Sequence, residues 1–367
     1  MHNNTFRASS PVTALLSRSC LVMLRQAVRH YFPSGGLSVF RSALIFLSML
    51  MFSNGALAQS KPDRLRIGYA ARAVAHSVPF VAKEAGFFAE EGINAEIIHT
   101  AGSIAPMALA ANEVDMTIMS AYLMIPVSTL NRDVVMVGGF SRYATMVLVA
   151  RPEIKNAQDL KGKIVGIQRP GDAYEKSARF ALKHIGLDAD KDVKLLSLGS
   201  NDVMWGALNT GRVSATVLSP PGTLFARKAG MNFMVDLTDL KLEYQGSTIT
   251  TRRSLMQKNP QLVTRALRAI VRGVHLFKTR KDETIRILSK FLGTKDPEGL
   301  LESWDYAAKM PAKPYAVESA VQAVLDHLAE SQAKFSQYKP AEFIDARLLT
   351  EIDKSGYIGK LYGGQER

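Results

Sequence analysis

A pattern that occurs twice constrains this chain more than any other feature. Leu109-Ala-Ala-Asn-Glu-Val114-Asp-Met-Thr117-Ile-Met-Ser120 and Leu208-Asn-Thr-Gly-Arg-Val213-Ser-Ala-Thr216-Val-Leu-Ser219 both read Leu-x-x-(Asn/Gly)-x-Val-x-x-Thr-apolar-apolar-Ser. About one helix upstream of each lies Gly-Ser, as Gly102-Ser103 and Gly199-Ser200. Each copy predicts a helix start, an apolar helix, a tight stop and a buried strand ending in Ser. The match extends upstream. Arg64-Leu-Arg-Ile-Gly68 and Gly162-Lys-Ile-Val-Gly166 read as strands, helical stretches end at Gly86 and Gly186, and apolar strands follow at Glu96-Ile-Ile98 and Lys194-Leu-Leu196. Strands alternating with helices pair in parallel through helical crossovers. The expectation is an α/β chain of two similar lobes.

A chain of 367 residues is long enough for two domains with substantial cores. Its formal charge is +13, from 46 basic and 33 acidic residues. Arg7, Arg18, Arg25, Arg29 and Arg41 precede Gln59 with no acid among them, so the remainder carries 41 − 33 = +8. There is no long Lys/Arg run and no basic stretch interleaved with aromatics, which argues against a nucleic-acid partner. The basic excess suits an anionic ligand or an anionic membrane nearby. The single cysteine is Cys20, so downstream disulfides, thiol catalysis and cysteine metal sites are excluded.

Arg41 followed by the apolar run Ala43–Phe52 and by Ala56-Leu57-Ala58 has the layout of a secretory signal peptide. Cleavage is expected after Ala58, and residues 1–58 are read as a leader. The segment from Met1 to His30 is long for such a leader, and the reading expects the working start downstream, with Met23 the candidate. Arg18 makes Ser17-Arg-Ser-Cys20 a poor lipoprotein site.

Beyond the leader, residues 59–145 with 246–367 are expected to form the first lobe and residues 146–245 the second. Leu65–Ala70 predicts the first strand, and a helix is expected from Pro79 to about Glu91. Val134–Phe140 predicts a further strand. The first crossing between lobes is placed at Met146–Ala150 and the return at Gly246–Thr251. Asn259-Pro260 reads as cap and first residue of a long helix, with Val263, Leu267, Ile270, Val274 and Phe277 on one stripe. The rest of the tail reads as all-helical and is expected to pack on the first lobe.

Leu65-Arg-Ile-Gly-Tyr69, Phe87-Phe-Ala-Glu-Glu-Gly92-Ile93, Asn112-Glu-Val-Asp115 and Asp159-Leu-Lys-Gly-Lys163 together resemble substrate-binding proteins of ABC importers. The resemblance is to the nitrate/sulfonate/taurine and thiamine-precursor type, and covers roughly Arg64 to Phe277. It implies the type 2 periplasmic binding protein fold: two lobes, each a mostly parallel sheet flanked by helices, joined by two crossing strands. It implies hinge closure on a small solute in the periplasm and delivery to an inner-membrane permease with its ATPase. No cofactor is implied, and a monomer is expected. Alternatives are a pyrimidine or thiamine-precursor binding protein, the binding subunit of a sensor, and an enzyme of thiamine-pyrimidine synthesis.

In open parallel sheets ligands sit off the carboxyl ends of the strands. Helix N-termini there offer free N–H groups and partial positive charge to an acid group. The strand-end residues expected to line the site are Tyr69, Arg72, His76, Gly102, Ser103, Ser120, Ala121, Arg142 and Tyr143 in the first lobe. In the second they are Gln168, Arg169, Gly171, Asp172, Ser200, Ser219 and Pro220. Arg72, Arg142 and Arg169 are the candidates for pairing with an acid group. Asp172 would repel an anion or accept from a ligand amine, which leaves a zwitterionic ligand open.

Enzyme signatures are missing. There is no Gly-x-Ser-x-Gly elbow and no His-Glu-x-x-His. Gly166-Ile-Gln-Arg-Pro-Gly171 has phosphate-loop spacing but continues Asp172-Ala173 where Lys-(Ser/Thr) is required. His76, His99, His184, His275 and His327 lack metal-ligand spacing. Pyrimidine-forming relatives carry a cysteine-rich motif that this chain lacks.

Overall fold

The computed structural model describes residues 61–100, 102 and 104–364. The leader, its Ala58 cleavage site, Met23, Cys20 and Ser103 lie outside the described residues.

Among the described residues, ten strands form two five-stranded sheets. The first is built from β1 (Asp63–Tyr69), β2 (Ile93–His99), β3 (Met116–Met119), β4 (Val134–Gly139) and, after a long excursion, β10 (Thr248–Arg252). The second holds β5 (Val147–Ala150), β6 (Ile164–Ile167), β7 (Lys194–Ser197), β8 (Ala215–Leu218) and β9 (Asn232–Asp236). Their orders are β2-β1-β3-β10-β4 and β7-β6-β8-β5-β9. In each, three parallel strands are followed by one antiparallel strand in fourth place: β10 beside β3, β5 beside β8. Both fourth strands directly follow a passage from one sheet to the other.

The twice-used pattern has a physical reason at each fixed position. The Asn/Gly position lies in the left-handed region, with φ +63° at Asn112 and +79° at Gly211, where the chain must turn from helix to strand. The Thr lies beside a glycine of the neighbouring strand, Thr117 opposite Gly68 and Thr216 opposite Gly166. A Cβ on Gly166 would fall 2.7 Å from Leu198 Cδ1 and 3.0 Å from the Thr216 hydroxyl, so a larger residue would have to push both aside. The pattern's terminal Ser ends each strand at the same edge of its sheet.

Helices cover the sheets in chain order: α1 (Val78–Glu84), α2 (Phe87–Glu90), α3 (Ile104–Ala110) and α4 (Ala121–Leu130) on the first. On the second lie α5 (Ala173–His184), α6 (Asn201–Asn209) and α7 (Gly222–Lys228). The tail adds α8 (Arg253–Lys258), α9 (Pro260–Thr279), α10 (Lys281–Leu292), α11 (Pro297–Ala308), α12 (Glu318–Ser331), α13 (Arg347–Lys354) and α14 (Tyr357–Leu361). The single helix read over Pro79–Glu91 is two pieces, because Gly86 at φ +80° breaks it. Strand β9 has no counterpart among the strands expected from the sequence. That strand sits at the sheet's edge, is only partly buried, and so lacks a clear apolar alternation.

Asn259 caps α9 by accepting from the Leu262 N–H at 3.0 Å, and Pro260 follows in the first turn. The buried stripe of α9, including Val263, Leu267, Ile270, Val274 and Phe277, joins one core with α1, the first sheet and α10, α11, α13 and α14. A second core runs through the second sheet and reaches α3, α4 and α12 on the opposite face of the first.

Two segments connect the sheets, and they pair with each other. Ala144 N–H donates to Leu242 O at 2.9 Å, and Tyr244 N–H to Arg142 O at 2.7 Å. Arg142 and Glu243 reinforce the ribbon with an exposed ion pair at 2.6 Å. Gln245, fully buried, ties it down: its Nε2 donates to Ser141 O at 2.9 Å and its Oε1 accepts from the Val317 N–H at 2.9 Å. This is a short two-stranded hinge anchored to the first sheet and to the start of α12.

Candidate functional site: a cavity walled by both sheets

A cavity of about 150 Å³ opens where the strand ends of both sheets converge on the hinge ribbon. One water needs roughly 10–15 Å³ on the same measure, so there is room for a molecule of about ten heavy atoms. The loop after β1 supplies Ala70, Ala71 and Ala73 to His76, and β3 ends at Ser120. The loop after β6 supplies Gln168 to Pro170 and Asp172 to Tyr174, and β8 ends at Ser219-Pro220. Ser141, Tyr143, Thr145, Tyr244 and Ser247 come from the hinge, and Tyr306 from α11.

The cavity brings together His76, Gly102, Ser120, Tyr143, Gln168, Arg169, Asp172, Ser219 and Pro220 from the residues singled out in the sequence. The others lie elsewhere. Tyr69 stacks on His99, with ring centroids 5.0 Å apart, and packs against Phe291. Arg72 is exposed outside the lining. Ala121 is buried, its N–H given to Gln245 O at 3.1 Å. Arg142 is held on the hinge by Glu243. The Gly171 N–H turns to the Glu175 carboxylate, and Ser200 caps α6.

Among the lining residues that the sequence did not single out are Tyr174, Tyr244, Tyr306 and Thr145. Tyr174 shares a hydroxyl–hydroxyl hydrogen bond with Ser219 at 2.8 Å, and Thr145 pairs with the Tyr306 hydroxyl at 3.0 Å. The signal available for Tyr174 was its place in the first turn after Asp172, and for Tyr244 its place in the return crossing. Nothing local marked Tyr306, which arrives from the tail.

Asp172 and Arg169 are the ionised side chains of the lining. Asp172 is the N-cap of α5, and its Oδ1 accepts from the N–H groups of Tyr174 and Glu175, both at 2.9 Å. Burial nonetheless pushes its carboxyl up to about 6, against the pull of those backbone hydrogen bonds. His76 is neutral: burial lowers it to about 4. Its Nδ1 accepts from the Ala71 N–H at 3.2 Å, so the ring proton sits on Nε2.

Arg169 reaches across from the second sheet's loop to the first. A Cβ added to Gly102 would collide with its guanidinium, so glycine is what admits the contact. Gly102 also has φ +55°. Burial lowers the pKa of His99, and the charges of Arg72 and Arg169 lower it further. This side of the site is therefore electropositive, while Asp172 makes another part of it negative.

Residues 73–284 match the family described as NMT1/THI5 like. The chain belongs to the NMT1/THI5-like family. A Brucella abortus protein described provisionally as a binding protein is 27% identical over 253 residues, 67% of this chain and 76% of that one. The periplasmic aliphatic sulphonate binding protein SsuA from Escherichia coli superposes with a TM-score of 0.63 at 21% identity, over 79% of this chain and 99% of that one. The desulfurization enzyme DSZB, solved with biphenyl-2-sulfinic acid, has the same fold, with a TM-score of 0.62 at 16% identity, over 80% of this chain and 99% of that one. This member of the NMT1/THI5-like family thus has the two-lobed periplasmic binding protein fold. That fold serves binding and catalysis alike, so function has to be argued from the cavity.

Proposed function

We propose that this protein is the solute-binding component of an ABC importer. Residues 1–58 direct export and are removed after Ala58. Residues 59–145 with 246–367 form one lobe and residues 146–245 the other. The lobes close on a small organic acid in the periplasm by bending at the paired crossing segments, and the closed form docks on an inner-membrane permease coupled to an ATPase. The observation that carries this reading is a solute-sized cavity lined by strand ends of both sheets and by both hinge segments. Arg169, whose guanidinium lies against Gly102, forms the positive side that receives the acid group. Among the described residues no helix is long and apolar enough to cross a membrane, which suits a protein free in its compartment.

Catalysis of the kind that uses a thiol is disfavoured, because the chain holds no cysteine beyond Cys20. The test is a thermal-shift screen of the purified protein against nitrate, alkyl and aryl sulfonates, aromatic carboxylates and pyrimidines. A solute that binds the native state raises the melting temperature with concentration. Conversion of that solute on prolonged incubation would reject the binding-protein reading in favour of an enzyme.

A further inference from the structure

We infer that the cavity selects solutes that pair an acid group with an N–H donor, and that Asp172 and Tyr244 are the residues that read the donor. The inference rests on the solute-binding reading above and narrows it.

A bare inorganic anion or simple alkyl sulfonate leaves two features of the cavity unused. The first is the Asp172 carboxylate. It lines the cavity while its Oδ1 is held by two helix N–H groups, and the Arg169 backbone also bears on it. Both of those hydrogen bonds fall on one oxygen. An anion placed beside this carboxylate would meet repulsion in a poorly solvated site, whereas an N–H group would satisfy it. The second is the Tyr244 hydroxyl. Tyr244 is 7% exposed, lines the cavity, and its hydroxyl has no hydrogen-bond partner. The Ser120 hydroxyl lies beside it and eases its ionisation, but the two do not meet in hydrogen-bond geometry. A buried hydroxyl without a partner is uncommon and calls for one. Tyr244 and Asp172 line the same cavity, and Tyr244 feels the charge of Asp172.

Arg169 supplies the opposite charge on the Gly102 side. Tyr143, Tyr174 and Tyr306 complete the lining with flat faces. A small ring with an acid at one end and an amino or imino group at the other fits this set of charges and its volume.

The experiment is calorimetric titration with para-aminobenzenesulfonate and benzenesulfonate, which share ring and acid and differ only in the N–H donor. Ethanesulfonate and nitrate serve as acids without a ring. Wild type is expected to prefer the amino compound roughly 10–100-fold, the range of one charge-assisted hydrogen bond. Asp172→Asn keeps the capping oxygen and turns an amide N–H₂ toward the cavity, so the preference should vanish or reverse. Tyr244→Phe should weaken the amino compound selectively while leaving the ligand-free protein at least as stable. Equal affinity for the two ring compounds in wild type, or an unchanged ratio in Asp172→Asn, overturns the inference while leaving solute binding intact. Failure of all four acids to bind overturns the acid-binding reading on which it rests.

Discussion

Asp172→Asn should make the ligand-free protein more stable at neutral pH while impairing the site. An aspartate carboxyl titrates near 3.8 in the unfolded chain and at about 6 in this cavity, chiefly through burial. Between those values the folded protein holds a proton that the unfolded chain has released. Stability contributed by this group therefore falls as pH rises through that window. A rise of that size corresponds to roughly 3 kcal/mol at about 1.4 kcal/mol per pH unit. Asparagine caps helices about as well as aspartate, so the capping bonds to Tyr174 and Glu175 survive and the burial penalty is removed. The variant should gain about 2–3 kcal/mol at about pH 7 and nothing at about pH 4.

His76 runs the other way. Burial holds it at about 4 against an ordinary 6.5, so its contribution rises with pH across that window. The two slopes are of similar size and opposite sign, and their sum in wild type is nearly flat. Urea unfolding of both proteins across this range, read as the variant-minus-wild-type difference, removes His76 and every other common group. A difference that does not change with pH, or a variant less stable than wild type at neutral pH, would refute the reasoning. The expected outcome is the usual mark of a binding residue, whose local cost is tolerated for the sake of the ligand.

Three further outcomes follow from contacts elsewhere in the fold. Gly102→Ala places a Cβ against the Arg169 guanidinium at a left-handed φ and adds ~1–2 kcal/mol of backbone strain; solute affinity measured by calorimetry should drop at least several-fold, and an unchanged affinity rejects the contact's role. Glu302 of α11 accepts from the Thr223 hydroxyl of α7 at 3.2 Å on either oxygen, next to the pairing of Lys228 with Glu298 at 2.8 Å. Glu302→Ala should lose ~1 kcal/mol of contact between tail and second lobe, shifting the ligand-free population about fivefold toward open forms. Spin labels on Ile104→Cys and Val203→Cys, both exposed positions on helices of opposite lobes, would record this as longer distances, and identical distance distributions would sink it. Gln245→Ala removes a fully buried side chain and strands the Val317 N–H and the Ser141 carbonyl that it bonds. It should lower stability by ~2–4 kcal/mol in urea, and a loss under ~1 kcal/mol would show that water replaces the amide.

Much of the site was legible because its residues sit at fixed places in local motifs. Ser120 and Ser219 end the repeated strands, Gly102 precedes a helix, and Asp172 follows the Pro170-Gly171 turn as a cap. Such positions are set by dihedral preferences and helix-terminus hydrogen bonds, which act over a few residues. Arg142 shows the limit: its chemistry suits an acid ligand, yet Glu243, more than a hundred residues away along the chain, takes its charge. Arg72 and Arg169 look equivalent in sequence, and only the latter lies in the cavity lining, because the Gly102 backbone leaves space for it.

By itself the sequence determined the two similar α/β lobes, since periodicity, glycine stops and Thr beside Gly are local demands repeated at fixed spacing. Tertiary structure alone decided that β5 and β10 run antiparallel in fourth place, because strand direction follows from how the chain crosses between sheets. It also decided that Tyr306, from a tail the sequence marks only as helical, lines the same cavity as Tyr174 and Tyr244. Long-range packing, of Tyr306 on the core of α9 and of Tyr174 and Tyr244 on the second core, brings those rings together, and no short window of sequence encodes it.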